Sequence, residues 1–175
     1  MANDDGPLTA AVPTTSLRTE PIDSAVGARL VTAQWREIMS RYGVEDVDVA
    51  LDPLDPAHFR EPEGTFVVVS VDGEPVGCGG LRPHPEPVPG LADAPTAEVK
   101  RMYVHPNRRG LGLSRLVLTE LEERGRGLGY ERLVLETGVL QPEAIGLYEA
   151  TGWTRIANLG PRRDYDGLRC YLKAL

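Results

Sequence analysis

Apolar and polar positions alternate along the chain in a way that sets strands against helices. TTSLRTEPI predicts a first strand. Ser24 is placed as the N-cap of AVGARLVTAQWREIMSRYG, where Val26, Leu30, Trp35, Ile38 and Met39 give a helical stripe that Gly43 ends. DPLDPAHFREPEG is expected to be a loop with one helical turn. TFVVVSVDGEPVGCGGLRP predicts a hairpin: an apolar run from Phe66 to Val71 meets DGEP, and the chain returns through Val76 to Leu81. PHPEPVPGLADAP is Pro-rich and must be a loop, long enough for an active-site flap or a mobile excursion.

In the second half, TAEVKRMYVHP is a strand ending at Pro106, and GLGLSRLVLTELEERGRGLG is a helix. Leu113, Leu116, Val117 and Leu121 are expected on one face of it, with Gly125, Gly127 and Gly129 marking its end. ERLVLET is a strand. QPEAIGLYEATG is a short helix with Pro142 in its first turn and Gly152 after its last. WTRIANLG and LRCYLKAL are final strands. No internal repeat is visible. Strands mix with helices throughout, so the class is α/β or α+β with a mixed sheet.

The length of 175 residues makes one domain the default, placed at 14–175, with 1–13 as a small, polar, disordered tail. The net charge of −7 argues against general binding to DNA or RNA, which needs a basic face to neutralise phosphates. The two cysteines, Cys78 and Cys170, suggest no secreted disulfide framework, and no apolar stretch approaches a membrane span. A reduced, cytoplasmic protein with no membrane partner is the expectation.

The segment VHPNRRGLGLS raises the question of chemistry. A strand that passes through a glycine turn into a helix builds an anion site, because the first N–H groups of a helix lack internal partners and carry the positive end of its dipole. Gly110, Gly112 and the small Ser114 would let a phosphate approach, and Arg108 and Arg109 add charge. The segment is neither a P-loop nor the G-x-G-x-x-G fingerprint. Taken alone, its alternative reading is a glycine-eased turn with exposed arginines.

A second motif lies further on. In the GNAT superfamily of N-acetyltransferases, [QR]-x-x-G-x-[GA] occupies a strand-to-helix turn. Here Arg109, Gly112 and Ser114 fill those positions, with Ser114 departing from Gly or Ala. The family also carries a helix close to N-x-x-A-x-x-L-Y-x-x-x-G-[FW]. QPEAIGLYEATGW matches at Ala144, Leu147, Tyr148, Gly152 and Trp153, with Gln141 in place of Asn. The chain resembles this superfamily over about residues 15–175, most strongly from Glu98 to Trp153.

The resemblance implies a GNAT-like fold: a mixed, mostly antiparallel, twisted central sheet of six to seven strands flanked by about four helices. It implies acetyl-CoA as co-substrate, with the pyrophosphate on the backbone of Arg109, Gly110, Leu111, Gly112, Leu113 and Ser114, and Gln141 nearby. The fourth strand is expected to bulge and splay from the fifth. Met102, Tyr103 and Val104 would then offer backbone to the pantetheine arm, and one N–H could polarise the thioester carbonyl. Tyr148 falls where the family places the tyrosine that meets the coenzyme A sulfur; the competing role is a packed core tyrosine.

Glu98 is the candidate general base, expected in a partly dry cleft with a raised pKa. The competing role is a strand glutamate paired with Arg101 or Lys100; a water relay is the other source of a base. His105 is expected to be structural or a neighbour of the phosphates. No metal-ligand spacing is present. The function implied is acetyl transfer from acetyl-CoA to a primary amine, on a small molecule or peptide, by direct attack in a ternary complex. The alternative is a non-catalytic acyl-CoA sensor.

Residues 24–64, 82–97 and those after Trp153 are expected to wall the acceptor pocket. Glu45, Asp46 and Asp48 would attract a polyamine or aminoglycoside, or else form a solvated loop. Dimers are frequent in the family, and the C-terminal strand offers one contact for a homodimer.

Overall fold

The structure, a computed structural model, describes residues 13–44 and 54–175. The expected tail, up to residue 12, and Glu45, Asp46 and Asp48 lie outside the described residues.

Seven strands form one sheet. They are β1 (Thr15–Thr19), β2 (Thr65–Val71), β3 (Glu74–Pro83), β4 (Thr96–Val104), β5 (Arg132–Gly138), β6 (Thr154–Ile156) and β7 (Leu168–Ala174), in the spatial order β1-β2-β3-β4-β5-β7-β6. All neighbours are antiparallel except β4 and β5. Three α-helices are present among the described residues: α1 (Ala25–Arg41), α2 (Leu113–Gly127) and α3 (Pro142–Ala150). Among the described residues the other helical segments are short 3-10 turns, such as Pro56–Phe59.

The period-two alternation of β2 explains the layers. Val67, Val69 and Val71 face one side and pack with α2 residues Leu113, Val117, Leu118 and Leu121. Phe66 and Val68 face the other side, with Leu30 of α1, Phe59, Cys78 and Tyr103. A strand covered on both faces is apolar at every position rather than at alternate ones. Asp72 and Gly73 both take positive φ at the β2–β3 turn, which matches the right-handed twist of the two strands.

Two helical stripes differ from expectation. On α1 the buried residues are Gly27, Leu30 and Gln34, so a polar side chain lies on the inward face. On α2, Leu116 is 40% exposed and Leu118 packs instead. The difference follows from helical geometry: 118 shares the inward face with 121 and 125, whereas 116 is rotated away. Gly125 does not end the helix; it is buried inside it. Gly79 of β3 lets α2 lie close, since a Cβ there would sit 2.7 Å from the Val117 side chain.

α3 is pinned by a buried polar knot. Glu122 accepts hydrogen bonds from Trp153 Nε1 at 3.1 Å and from Lys173 Nζ at 2.7 and 2.8 Å, while Lys173 also donates to the Thr151 carbonyl. This joins α2, the end of α3 and β7, and holds Tyr148 in place. Cys78 and Cys170 are free thiols, both buried. Among the described residues no helix is long and apolar enough to cross a membrane.

Candidate active site

β4 and β5 pair only from Thr96↔Arg132 to Val99↔Leu135. Beyond Val99 the two strands part. A bulge on β4 drives the separation: Cys78↔Tyr103 and Gly80↔Lys100 are both in register with β3, so β4 carries an extra residue there, and Arg101 takes a positive φ of 58°. His105 N–H donates to Val76 on β3 at 2.8 Å, so Met102 and Val104, at alternate positions, turn their backbone groups into the gap. Their carbonyls accept from Gln34 Nε2 and Arg109 Nε, both at 3.0 Å. In an extended strand the N–H groups of the same two residues point the same way.

The gap opens onto a cleft of about 520 Å³ between α1 on one side and α2 and α3 on the other. At its mouth the chain leaves β4, makes a 3-10 turn over Pro106–Arg108, and enters α2 through Gly110 (φ 78°) and Gly112 (φ 75°). Only glycine takes this left-handed backbone without a Cβ penalty. The two helix starts differ. Ser24 caps α1 by accepting from Gly27 N–H at 3.0 Å, whereas Gly112 begins α2 with no side-chain cap and no acidic residue in the first turn. The first N–H groups of α2 are therefore available to an anion.

Arg109 stands beside this opening. Its Nη2 lies 2.6 Å from Glu37 of α1. Glu37 also pairs with Arg41 at 2.7 Å, and Arg41 pairs with Glu143 of α3 and donates to the Leu140 carbonyl. Arg108 turns instead to Glu74, at 3.1 Å.

Tyr148 lines the cleft from α3 and is 5% exposed. Its ring packs between Trp153 and Tyr171, with centroids 5.9 Å away on each side. Burial raises its phenol well above the ordinary value of 10.0, so it holds its proton throughout the neutral and mildly alkaline range. A phenol that keeps its proton can donate a hydrogen bond.

Of the residues singled out in the sequence, the cleft brings together Met102, Tyr103, Val104, Arg109, Gly110, Gly112, Leu113, Ser114, Gln141 and Tyr148. Leu111 is 58% exposed and outside the lining. Glu98 is also outside it. It lines a smaller cavity and is held by Arg82 at 2.8 Å and Lys100 at 3.0 Å. Burial opposes ionisation of its carboxyl, but the charges of Lys100 and Arg82 outweigh it, and the pKa lies below the ordinary 4.5. This corrects the expectation of a raised pKa in the main cleft: two cations next to one carboxylate favour its charged form.

The sequence reading missed Gln34, Glu37 and Arg41. The first left a signal, because Gln34 stands four residues after Leu30 in the apolar stripe. Among the described residues no group of three or more His, Cys, Asp or Glu side chains is arranged to hold a metal ion.

A sheet splayed at its one parallel pair, with an uncapped helix start at the splay and a buried phenol opposite, is the arrangement that the resemblance to the GNAT superfamily implied. The comparisons agree. The model of the acetyltransferase (GNAT) family matches residues 29–153, and the chain belongs to that family. It is 34% identical over 127 residues to the IAA acetyltransferase of Azospirillum brasilense, over 67% of this chain and 78% of that one. It is 26% identical over 146 residues to aminoglycoside N(6')-acetyltransferase type 1 of Stenotrophomonas maltophilia, over 83% and 89%. A GNAT family acetyltransferase from Elizabethkingia anophelis, solved with acetyl-CoA bound, shares the fold with a TM-score of 0.61 at 15% identity, over 92% of this chain and 98% of that one. The protein is an acetyl-CoA-dependent N-acyltransferase by family.

Proposed function

We propose that the cleft binds acetyl-CoA across the start of α2 and along the open edge of β4, and passes its acetyl group directly to a primary amine. The observation that carries this reading is the uncapped, glycine-led start of α2 beside a strand whose Met102 and Val104 backbone faces the gap. Gly110 to Ser114 offer N–H groups to the pyrophosphate, and Arg109 adds charge-assisted hydrogen bonds. The pantetheine arm extends the sheet at the open edge of β4. A backbone N–H of Met102 or Val104 stabilises the oxyanion as the amine nitrogen attacks the thioester carbon.

The C–N bond forms, the C–S bond breaks, and the electron pair goes to sulfur. Tyr148 donates a hydrogen bond to the departing thiolate. A thiol of pKa about 8.5 does not take a proton outright from this phenol, so the thiolate is protonated later from water. The amine must arrive neutral, and it loses its proton to water in the open cleft. Glu98 does not serve as base in this reading, because two bound cations lower its pKa and so its basicity, and it lies outside the cleft lining. Both thiols are buried and raised in pKa, which supports direct attack over an acyl-cysteine.

The test is isothermal titration with acetyl-CoA, with ATP as control. Saturable acetyl-CoA binding, lost in Arg109→Ala combined with Gly112→Asp, is the expected result, followed by thiol release with an amine panel. Absence of binding at about millimolar acetyl-CoA, the weak end of ordinary ligand affinities, overturns the reading.

A further inference from the structure

Resting on the acetyl-transfer reading above, we infer that the acceptor is a small amine that also carries an anionic group, as an amino acid does, and that Arg82, Lys100 and Arg162 hold that anion. The site is a cavity of about 140 Å³ next to the main cleft. Lys100, Glu136 and Arg162 line both spaces and so form the wall between them. The volume suits a carboxylate with a few waters, each of which takes about 30 Å³ in the liquid.

The charges around this cavity do not balance. Glu98 is shared by Arg82 and Lys100, and Glu136 is paired with Arg162 at 2.6 Å. Among the described residues three cations therefore face two carboxylates, and His84 is a further wall residue. The Arg82 and Lys100 side chains are only 20% and 15% exposed. Arg82 and Lys100 share one carboxylate, and the Arg162 side chain is 59% exposed and open to an arriving anion, so an added counter-charge is favourable there. The chain as a whole carries −7, so this positive corner is a local feature set against the overall charge. A polyamine or aminoglycoside would bring more positive charge to the same wall.

Gln34 lines the main cleft and is 8% exposed. Its Nε2 donates to the Met102 carbonyl at 3.0 Å, which fixes the amide orientation, and its Oε1 is buried without a hydrogen-bond partner. The amide thus sets Gln34 against the open part of β4, where the thioester lies in the proposed pose. Lys100 is two residues from Met102 on the same strand, across the Arg101 bulge. One molecule with an amine at one end and an anion at the other reaches both.

The test uses the full chain and reads binding separately from turnover. The twenty standard amino acids and their N-acetyl derivatives are titrated calorimetrically against the matching carboxamides, with spermidine and kanamycin as polycations. At least one carboxylate is expected to bind about tenfold or more tightly than its carboxamide, the size of one charge-assisted hydrogen bond. In Arg162→Gln and Lys100→Gln that preference is expected to fall towards one, with turnover losses mainly in KM. Equal binding of carboxylate and carboxamide, tighter binding of spermidine or kanamycin, or no binding by any carboxylate overturns the inference. Acetyl-CoA titration of the same samples, as described above, reports independently on the transfer reading.

Discussion

Glu37 Oε2 lies 2.6 Å from Arg109 Nη2, so a carboxylate of α1 occupies the guanidinium that flanks the open start of α2. A pyrophosphate arriving at that turn competes with Glu37 for the same donors. The two side chains are 25% and 38% exposed, so solvent screens the pair and its strength is about 1 kcal/mol or less. Glu37→Gln is therefore expected to tighten acetyl-CoA binding by about two- to fivefold, measured by titration calorimetry. Arg109→Ala is expected to weaken it by about tenfold or more. Unchanged affinity in Glu37→Gln would show that Arg109 does not meet the phosphates.

Tyr148→Phe separates chemistry from packing. The ring stays between Trp153 and Tyr171 in the variant, and only the hydroxyl is lost. The expected result is a fall in kcat of about 10- to 100-fold, with acetyl-CoA affinity nearly unchanged. Burial alone raises the Tyr148 pKa, so the wild-type rate should show no loss from tyrosine ionisation up to about pH 10. Equal losses in kcat and binding would assign the residue to packing.

Glu98→Gln is expected to act on stability rather than on the pH–rate profile. The folded-state pKa of Glu98 lies below its ordinary 4.5. Its ionised form therefore stabilises the fold at pH values above about 4.5, and that contribution is lost as pH falls through the lower, folded value. The difference in unfolding free energy between wild type and Glu98→Gln should be largest near neutrality and shrink in acid, as followed by urea titration at several pH values. Between about pH 6 and 9 the shape of kcat/KM against pH should be the same in both, because Glu98 stays ionised throughout. A limb that vanishes in the variant would restore Glu98 as the base.

Gly112→Ala tests the turn. At φ 75° the added Cβ meets no neighbouring atom, so the cost is in the backbone alone, about 1–2 kcal/mol. Thermal unfolding should register that cost. Acetyl-CoA affinity should fall by more than tenfold if the backbone rearranges to relieve the strain, since the N–H groups then leave their positions.

The local pattern of residues carries most of the fold and half of the site. Ser24 before an apolar stripe starts α1, Asp72-Gly73 turns the hairpin, and Gly110 and Gly112 open α2, all through backbone preferences of single residues. The two motifs brought Arg109 to Ser114 and Tyr148 into view because their spacing follows from one turn and one helix. What the sequence could not settle depends on residues far apart in the chain. Glu98 is an ion-pair centre because the β3–β4 register puts Arg82 directly across from it, 16 residues earlier in the chain. Gln34 reaches the Met102 carbonyl 68 residues away only because α1 crosses the β4 bulge. The chain's net charge is a sum over residues and needs no structure; the positive corner at Arg82, Lys100 and Arg162 is a difference between neighbours, and only the packed sheet decides which charges are neighbours.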